Sequence, residues 1–141
     1  MKKTYLYLVF GAIILLGLIQ LVPFGRDHTN PPVTSEPKWS SPQARAIVKE
    51  HCFQCHSNES EWPWYSNIAP ASWLISMDVI EAREHFNFSE WDTNPEKVDE
   101  MTEAVEKGEM PPIQYWLFHP GSKMDTRQKQ ELIQALESSL G

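Results

Sequence analysis

Hydrophobic residues form one dense N-terminal run, and farther along the chain they recur at helical spacing. The run from Tyr5 to Val22 is almost unbroken. Beyond residue 41, apolar positions return every three or four residues, the period of an α-helix with one buried face. No segment alternates between apolar and polar residues over the length of a strand. The pattern therefore predicts an all-α protein.

Four helices are predicted after residue 41, from their start and stop signals. Ser41, Pro70, Asn94-Pro95 and Asp125 are the starts, and Gly108 ends the third helix. At the last start, Gln128 completes a capping box with Asp125. The residues expected to face the core are Ala44, Ile47, Val48 and His51; Trp73, Leu74, Met77 and Ile80; Val98, Met101 and Val105; and Leu132, Ile133, Leu136 and Leu140.

The N-terminal run predicts a membrane anchor. Thr4 to Phe24 is 21 residues, which as a helix is about 31 Å long and spans a bilayer core. Lys2 and Lys3 hold the N-terminus in the cytoplasm, so the remainder is exported. A cleaved signal peptide and a buried core helix are the alternatives, but no A-x-A-like cleavage site follows the run.

Three regions follow from these patterns: residues 1–24 as an uncleaved anchor, 25–41 as a Pro-rich connection, and 42–141 as a helical domain. The connection contains Asn30-Pro31-Pro32 and Pro37 but few aliphatic residues. It is predicted to be an extended tether, and an ordered strap across the domain is the alternative.

Charge narrows the possible partners. The net charge is −7, and without Lys2 and Lys3 it is −9. Such a domain repels phosphate backbones, so nucleic-acid binding is not expected. A partner with a basic docking surface would suit it.

The chemistry of the chain is concentrated in Cys52-Phe53-Gln54-Cys55-His56, a C-x-x-C-H sequence. This is the attachment motif for a c-type haem. Two thiols three positions apart on a helical turn reach the two vinyl groups of one porphyrin, and the next histidine presents a nitrogen to the iron. The other nitrogen of His56 is expected to donate to a backbone carbonyl, provisionally in the 68–70 segment.

Three alternatives compete with covalent haem. A thioredoxin-like dithiol follows a strand, whereas these cysteines end a predicted helix. A zinc site needs a second ligand pair, which the sequence lacks. A disulfide across so small a loop stabilises little. Covalent attachment of one haem through Cys52 and Cys55, with His56 on the iron, is the favoured interpretation.

Met110 is the predicted second axial ligand, in Gly108-Glu109-Met110-Pro111-Pro112. The helix ends at Gly108, and the prolines keep the following residues extended. His85 and His119 compete for this role, whereas His51 is too close to the attachment site to reach the opposite face. Of the other methionines, Met77 and Met101 are expected in the core and Met124 at the surface.

Aromatic residues are predicted to line the cofactor pocket. Trp62, Trp64 and Tyr65 follow the haem motif closely, and Trp73 lies on the next predicted helix. Their rings would exclude water, and their N–H or O–H groups can bond to haem propionates.

Several blocks together resemble the bacterial haem-binding domain family of small exported proteins with one C-x-x-C-H. These blocks are Asn30-Pro31-Pro32, CFQCHSNE at 52–59, WPWYS at 62–66, IAPASWL at 68–74, HFNFSEW at 85–91 and GEMPPIQY at 108–115. The similarity extends over about residues 26–140. It implies a cytochrome-c-like helical domain in which Cys52, Cys55 and His56 hold the haem, but it implies no substrate or partner.

The favoured functional hypothesis is a single-pass cytochrome of the bacterial inner membrane whose domain faces the periplasm. It would carry single electrons between redox proteins rather than act as an enzyme. A haem-based sensor or small-ligand binding module is the main alternative. A peroxidase-like enzyme and a dithiol oxidoreductase are further ones.

Overall fold

The computed structural model describes residues 2–93 and 97–141. In this part of the chain the secondary structure is helical, and the only β pairing given is an isolated parallel bridge between Ser35 and Glu90. The all-α prediction is confirmed. The helices are α1 (Lys2–Ile19), α2 (Pro42–His56), α3 (Ala71–His85), α4 (Val98–Lys107), α5 (Ile113–Phe118) and α6 (Thr126–Leu140), with short 3₁₀ turns at Trp64–Asn67, Trp91–Thr93 and Pro120–Ser122.

The chain divides into two compact units. The first consists of Met1–Thr29 and Glu61–Glu81, and the second of Asn30–Ser60 and Ala82–Gly141. The first unit therefore contains α1 and most of α3, while the second contains α2, α4, α5 and α6.

The predicted signals at the helix ends are present in three helices. The hydroxyl of Ser41 accepts a hydrogen bond from the Ala44 N–H at the start of α2. Asp125 and Gln128 form the capping box of α6. Gly108 ends α4 with φ 73°, in the left-handed region that glycine tolerates. The proposed α4 start at Asn94-Pro95 lies outside the described residues, and the described helix begins at Val98.

The core of the second unit is formed mainly by α2, α4 and α6. Its fully buried side chains include Val48, Phe53, Phe88, Leu132 and Leu136. The predicted inward faces of these three helices are confirmed at the following buried positions: Ala44, Val48, Met101, Val105, Leu132 and Leu136.

Residues 30–39 lie on the second unit as a strap. The N–H groups of Thr34 and Ser35 both donate to the Ser89 carbonyl. The Trp39 ring packs against Phe53 and Phe88, with centroids 6.0 and 5.7 Å away. Residues 30–39 therefore form an ordered strap, which was the alternative to the predicted extended tether.

The predicted inward face of α3 is wrong. Leu74, Met77 and Ile80 are 45 to 50% exposed, whereas Ser72, Ser76 and Val79 are buried. The cause is close backbone packing. A Cβ atom on Gly25 would lie only 2.2 Å from the Ser72 carbonyl oxygen, so the backbone at Gly25 packs directly on α3 at Ser72.

Two smaller expectations also fail. Met124 was expected at the surface, but it is buried in the core cluster of the second unit, because it lies immediately before the N-cap of α6, where the chain enters the core. The residues after Pro111 and Pro112 were expected to stay extended, but α5 begins at Ile113, because a proline is tolerated immediately before a helix.

Helix α1 is long and apolar enough to cross a membrane. Its 18 residues contain no buried side chain. A core helix would be buried, so the alternative of a soluble core helix is disfavoured.

We predict that Leu132→Ala lowers the free energy of unfolding by about 2 to 5 kcal/mol, because it leaves a cavity between packed helices. The same substitution at the exposed Leu117 of α5 is the control. Urea unfolding followed by circular dichroism measures both. Equal effects would contradict the assignment of the core.

Candidate functional site

A cleft within the second unit provides the candidate site. Its empty space, with the solvent at the open mouth included, is about 780 Å³. Its walls come from the end of α2, the segment after α3, helix α4 and the loop into α5. The lining residues are His51, Cys52, Gln54, Cys55, His56, His85, Phe86, Phe88, Lys97, Glu100, Met101, Ala104, Val105, Met110, Pro111, Pro112, Tyr115 and Leu136.

The last turn of α2 places the C-x-x-C-H residues on one wall of this cleft. Cys52, Cys55 and His56 all line it, and no disulfide joins the two cysteines. Residues three and four positions apart on a helix share a face, which is why this spacing brings the two sulfurs and the imidazole together.

The imidazole of His56 is held in one tautomer by the end of α3. Its Nδ1 lies 3.0 Å from the Ala82 carbonyl oxygen and 3.3 Å from that of Phe86. A carbonyl can only accept, so Nδ1 carries the hydrogen and Nε2 keeps its lone pair. The expected carbonyl in residues 68–70 is therefore wrong. The Ala82 carbonyl also accepts from the Phe86 N–H over 3.0 Å, so His56 uses the second lone pair of this oxygen.

Packing fixes the plane of this ring and keeps it neutral. The Phe86 ring stacks on it with centroids 3.9 Å apart and planes 6° apart. Burial lowers the pKa of His56 to about 4, against the opposing effect of its hydrogen bonds to Phe86 and Ala82. A neutral imidazole is the form that binds a metal, so this environment prepares His56 as a ligand.

A buried polar network joins the residues after the motif to the segment after α3. The Phe88 N–H donates to the His56 carbonyl over 2.8 Å. The Asn87 side chain donates to Asn58 over 2.8 Å, and the Asn58 N–H donates to the Ser89 hydroxyl. Each bond buries a polar group with its partner, so the two segments are held in one relative position.

The Cys52 thiol is unlike the reactive thiol of a dithiol oxidoreductase. Burial, with a smaller contribution from Cys55, raises the pKa of the Cys52 thiol to about 12. Reactive redox cysteines have a lowered pKa because the thiolate is the nucleophile. No group of three His, Cys, Asp or Glu side chains suited to a metal ion occurs within residues 2–93 and 97–141, and zinc sites are built from such groups.

Met110 lines the same cleft as the motif. The left-handed turn at Gly108 ends α4, and the Met110 N–H then donates to the Ala104 carbonyl over 3.3 Å. Its side chain is 43% exposed. The structure thus brings Met110 to the cleft that contains Cys52 and His56, and its role as an iron ligand stays a prediction.

The competing histidines differ in position. His51 and His85 line the cleft, and His85 Nε2 lies 3.6 Å from a Glu100 carboxylate oxygen. His119 is not among the lining residues, and its ring stacks on Tyr115 at 4.5 Å.

The predicted aromatic pocket residues lie in the first unit. None of Trp62, Trp64, Tyr65 and Trp73 lines the cleft. Trp62 stacks on His28 at 4.5 Å. The buried indole N–H groups of Trp62 and Trp73 have no hydrogen-bond partner among the described residues. Their proposed contact with haem stays a prediction.

Sequence reasoning missed two aromatic residues that line the cleft. Phe86 and Phe88 belong to the blocks quoted for the family resemblance, but no role was assigned to them. The alternation in His85-Phe86-Asn87-Phe88 was the available signal, because both phenylalanines are buried and Asn87 joins the polar network.

Comparison with known proteins agrees with the chemistry of the cleft. A family model described as a haem-binding domain matches residues 14–138, most of the chain. The chain belongs to the haem-binding domain family. The match to the family begins inside α1, earlier than the expected residue 26. No curated protein and no solved structure matches the chain significantly.

The residues of the cleft fit the group for which the family is named. A mainly apolar cleft is bordered by two thiols and by an imidazole whose Nε2 is available to a metal. A family of haem-binding domains and a cleft of this composition lead to the same cofactor.

We predict that the haem-free chain loses stability as the pH falls from 6.5 to 4. The pKa of His56 is about 4 when folded and near 6.5 when unfolded, so the unfolded chain binds the extra proton in this range and unfolding is favoured. The contribution is about 3 kcal/mol between pH 7 and pH 4.

His56→Asn tests this prediction, because the asparagine amide replaces the Nδ1 donor and does not titrate. Urea unfolding of both chains at several pH values should show a smaller loss of stability in the variant. Parallel pH dependences would contradict the neutral, buried state of His56.

Proposed function

We propose that this chain is a membrane-anchored, monohaem c-type cytochrome that transfers single electrons in the periplasm. The observation that carries the proposal is the cleft wall formed by Cys52, Cys55 and His56, with Nδ1 of His56 bound to the carbonyls of Ala82 and Phe86.

Each residue of that wall has a proposed role in holding the haem. Cys52 and Cys55 would hold one haem through thioether bonds, and His56 would bind its iron through Nε2. When bound, the haem supplies one-electron chemistry. The chain itself orients the imidazole through Ala82 and Phe86 and excludes water with Phe88, Met101 and Leu136. A hydrogen bond to Nδ1 raises the basicity of the coordinating nitrogen.

Met110 is the proposed second axial ligand. It enters the cleft from the loop after α4, whereas the C-x-x-C-H residues enter from α2. A thioether ligand raises the reduction potential, which suits an electron carrier.

Localisation and partners follow from α1 and from charge. Lys2 and Lys3 precede α1, and positive residues stay on the cytoplasmic side, so the rest of the chain would face the periplasm. The acidic sequence beyond the anchor suits redox partners with basic docking surfaces.

A haem-based sensor or small-ligand binding module is the second candidate. Its support is the partial exposure of Met110, together with the presence of His51 and His85 around the same cleft. A displaceable axial ligand would leave the iron open to a diatomic gas. For the peroxidase-like alternative, His85 and Glu100 are the pair at the cleft that would move protons.

We predict that Cys52→Ala combined with Cys55→Ala abolishes covalent haem attachment when the chain is exported alongside the cytochrome c maturation machinery. Gln54→Ala, which keeps both thiols, is the control. Absorption of the chain after acidic organic extraction of free haem measures attachment. A wild-type chain that loses all its haem in this extraction would refute the cytochrome proposal.

We predict that Met110→Ala removes the far-red sulfur–iron absorption band and lowers the reduction potential, since a thioether ligand is lost. Met77→Ala is the matched control, because Met77 is similarly exposed but lies in the first unit. Spectroscopic redox titration measures both. Rapid carbon monoxide binding by the ferrous wild type would instead favour the sensor.

A further inference from the structure

The first unit exposes large apolar side chains for which the electron-transfer proposal gives no use. We call Trp64, Ile68, Leu74 and Met77 the apolar seat. Trp64 is 76% exposed, and the other three are 45 to 50% exposed. All four belong to the unit that contains α1.

In α3, the distribution of buried and exposed side chains is the reverse of that expected in a soluble protein. Its covered face carries Ser72, Ser76 and Val79, while Leu74 and Met77 point outward. A soluble protein buries its large apolar side chains and exposes its small polar ones. The opposite arrangement is favoured where the surroundings of the helix are themselves apolar.

The apolar seat begins where α1 ends. The Gln20 side chain donates to the Ala69 carbonyl over 2.9 Å and accepts from the Ala69 N–H over 3.0 Å. Gly25 packs against the backbone at Ser72, where a Cβ atom would not fit. The chain leaving α1 is therefore attached to the turn that starts α3, next to Ile68.

Polar groups mark the limits of this surface. Arg26 donates to the Gln20 carbonyl just beyond the C-terminal end of α1, over 2.6 Å. Farther along α3, the exposed residues after Leu74 and Met77 are Ile80 and Glu81. The outward face of the helix thus carries its first exposed acidic side chain at Glu81, after three apolar ones. Such a change matches the step from a membrane interface to water.

We propose that the apolar seat lies in the interfacial region of the same bilayer that α1 spans. The inference rests on the membrane anchor in the proposed function. Trp64 suits this depth because amphipathic rings favour the interface, and Leu74 and Met77 add apolar area that lipid can cover.

Cysteine accessibility tests the proposal on the full chain in nanodiscs of phosphatidylcholine and phosphatidylglycerol that hold one chain each. Leu74→Cys and Met77→Cys are compared with Glu81→Cys, on the same face of α3. Labelling with a charged, membrane-impermeant maleimide should be about tenfold slower at the first two, the factor expected when one leucine-sized side chain is buried. A maleimide that partitions into lipid should reverse the order.

Equal labelling rates at the three positions would overturn the proposal. Protection that appears only in nanodiscs holding two chains would also overturn it, because a second copy would then cover the surface. A chain that does not enter nanodiscs refutes the anchor itself. Labelling of the wild type at Cys52 or Cys55, read by mass spectrometry, reports a failure of haem attachment. This readout is separate from a failure of the apolar seat to contact the bilayer.

Discussion

The site depends on one interaction, the donation of the His56 Nδ1 hydrogen to the carbonyls of Ala82 and Phe86. It fixes the tautomer, and it joins the end of α2 to the end of α3. The stacked Phe86 ring and the Phe88 N–H bond to the His56 carbonyl complete this junction. Because the same junction buries His56 and keeps it neutral, the packing of the second unit and its metal chemistry have a common origin.

Local signals in the sequence were sufficient for most helices and for most of the inward faces of α2, α4 and α6. Ser41, Gly108 and Asp125 act through bonds within a few residues of themselves, so their roles can be predicted without knowledge of the fold. The C-x-x-C-H motif is likewise local, since one helical turn brings its side chains to one face. The source of the carbonyl for His56 is different, because it lies 26 residues away and depends on how α3 ends.

The errors on α3 also have a physical cause. Periodicity shows which residues of a helix share a face, but the surroundings decide which face is buried. Leu74 and Met77 were assigned to the core on the assumption of an aqueous exterior, whereas the backbone at Gly25 packs on α3 at Ser72, and the buried residues of the helix are Ser72, Ser76 and Val79. Exposed apolar side chains on α3, in a chain that also carries the apolar helix α1, suit a lipid environment.

The central claim is that one haem is covalently joined to the chain at Cys52 and Cys55. The most direct test is mass spectrometry of the proteolytic peptide that contains residues 52–56, from wild-type protein exported with the maturation machinery. The account predicts a peptide heavier by one haem, with neither thiol free to react with an alkylating reagent. A peptide of unmodified mass, with both thiols open to alkylation, would contradict it.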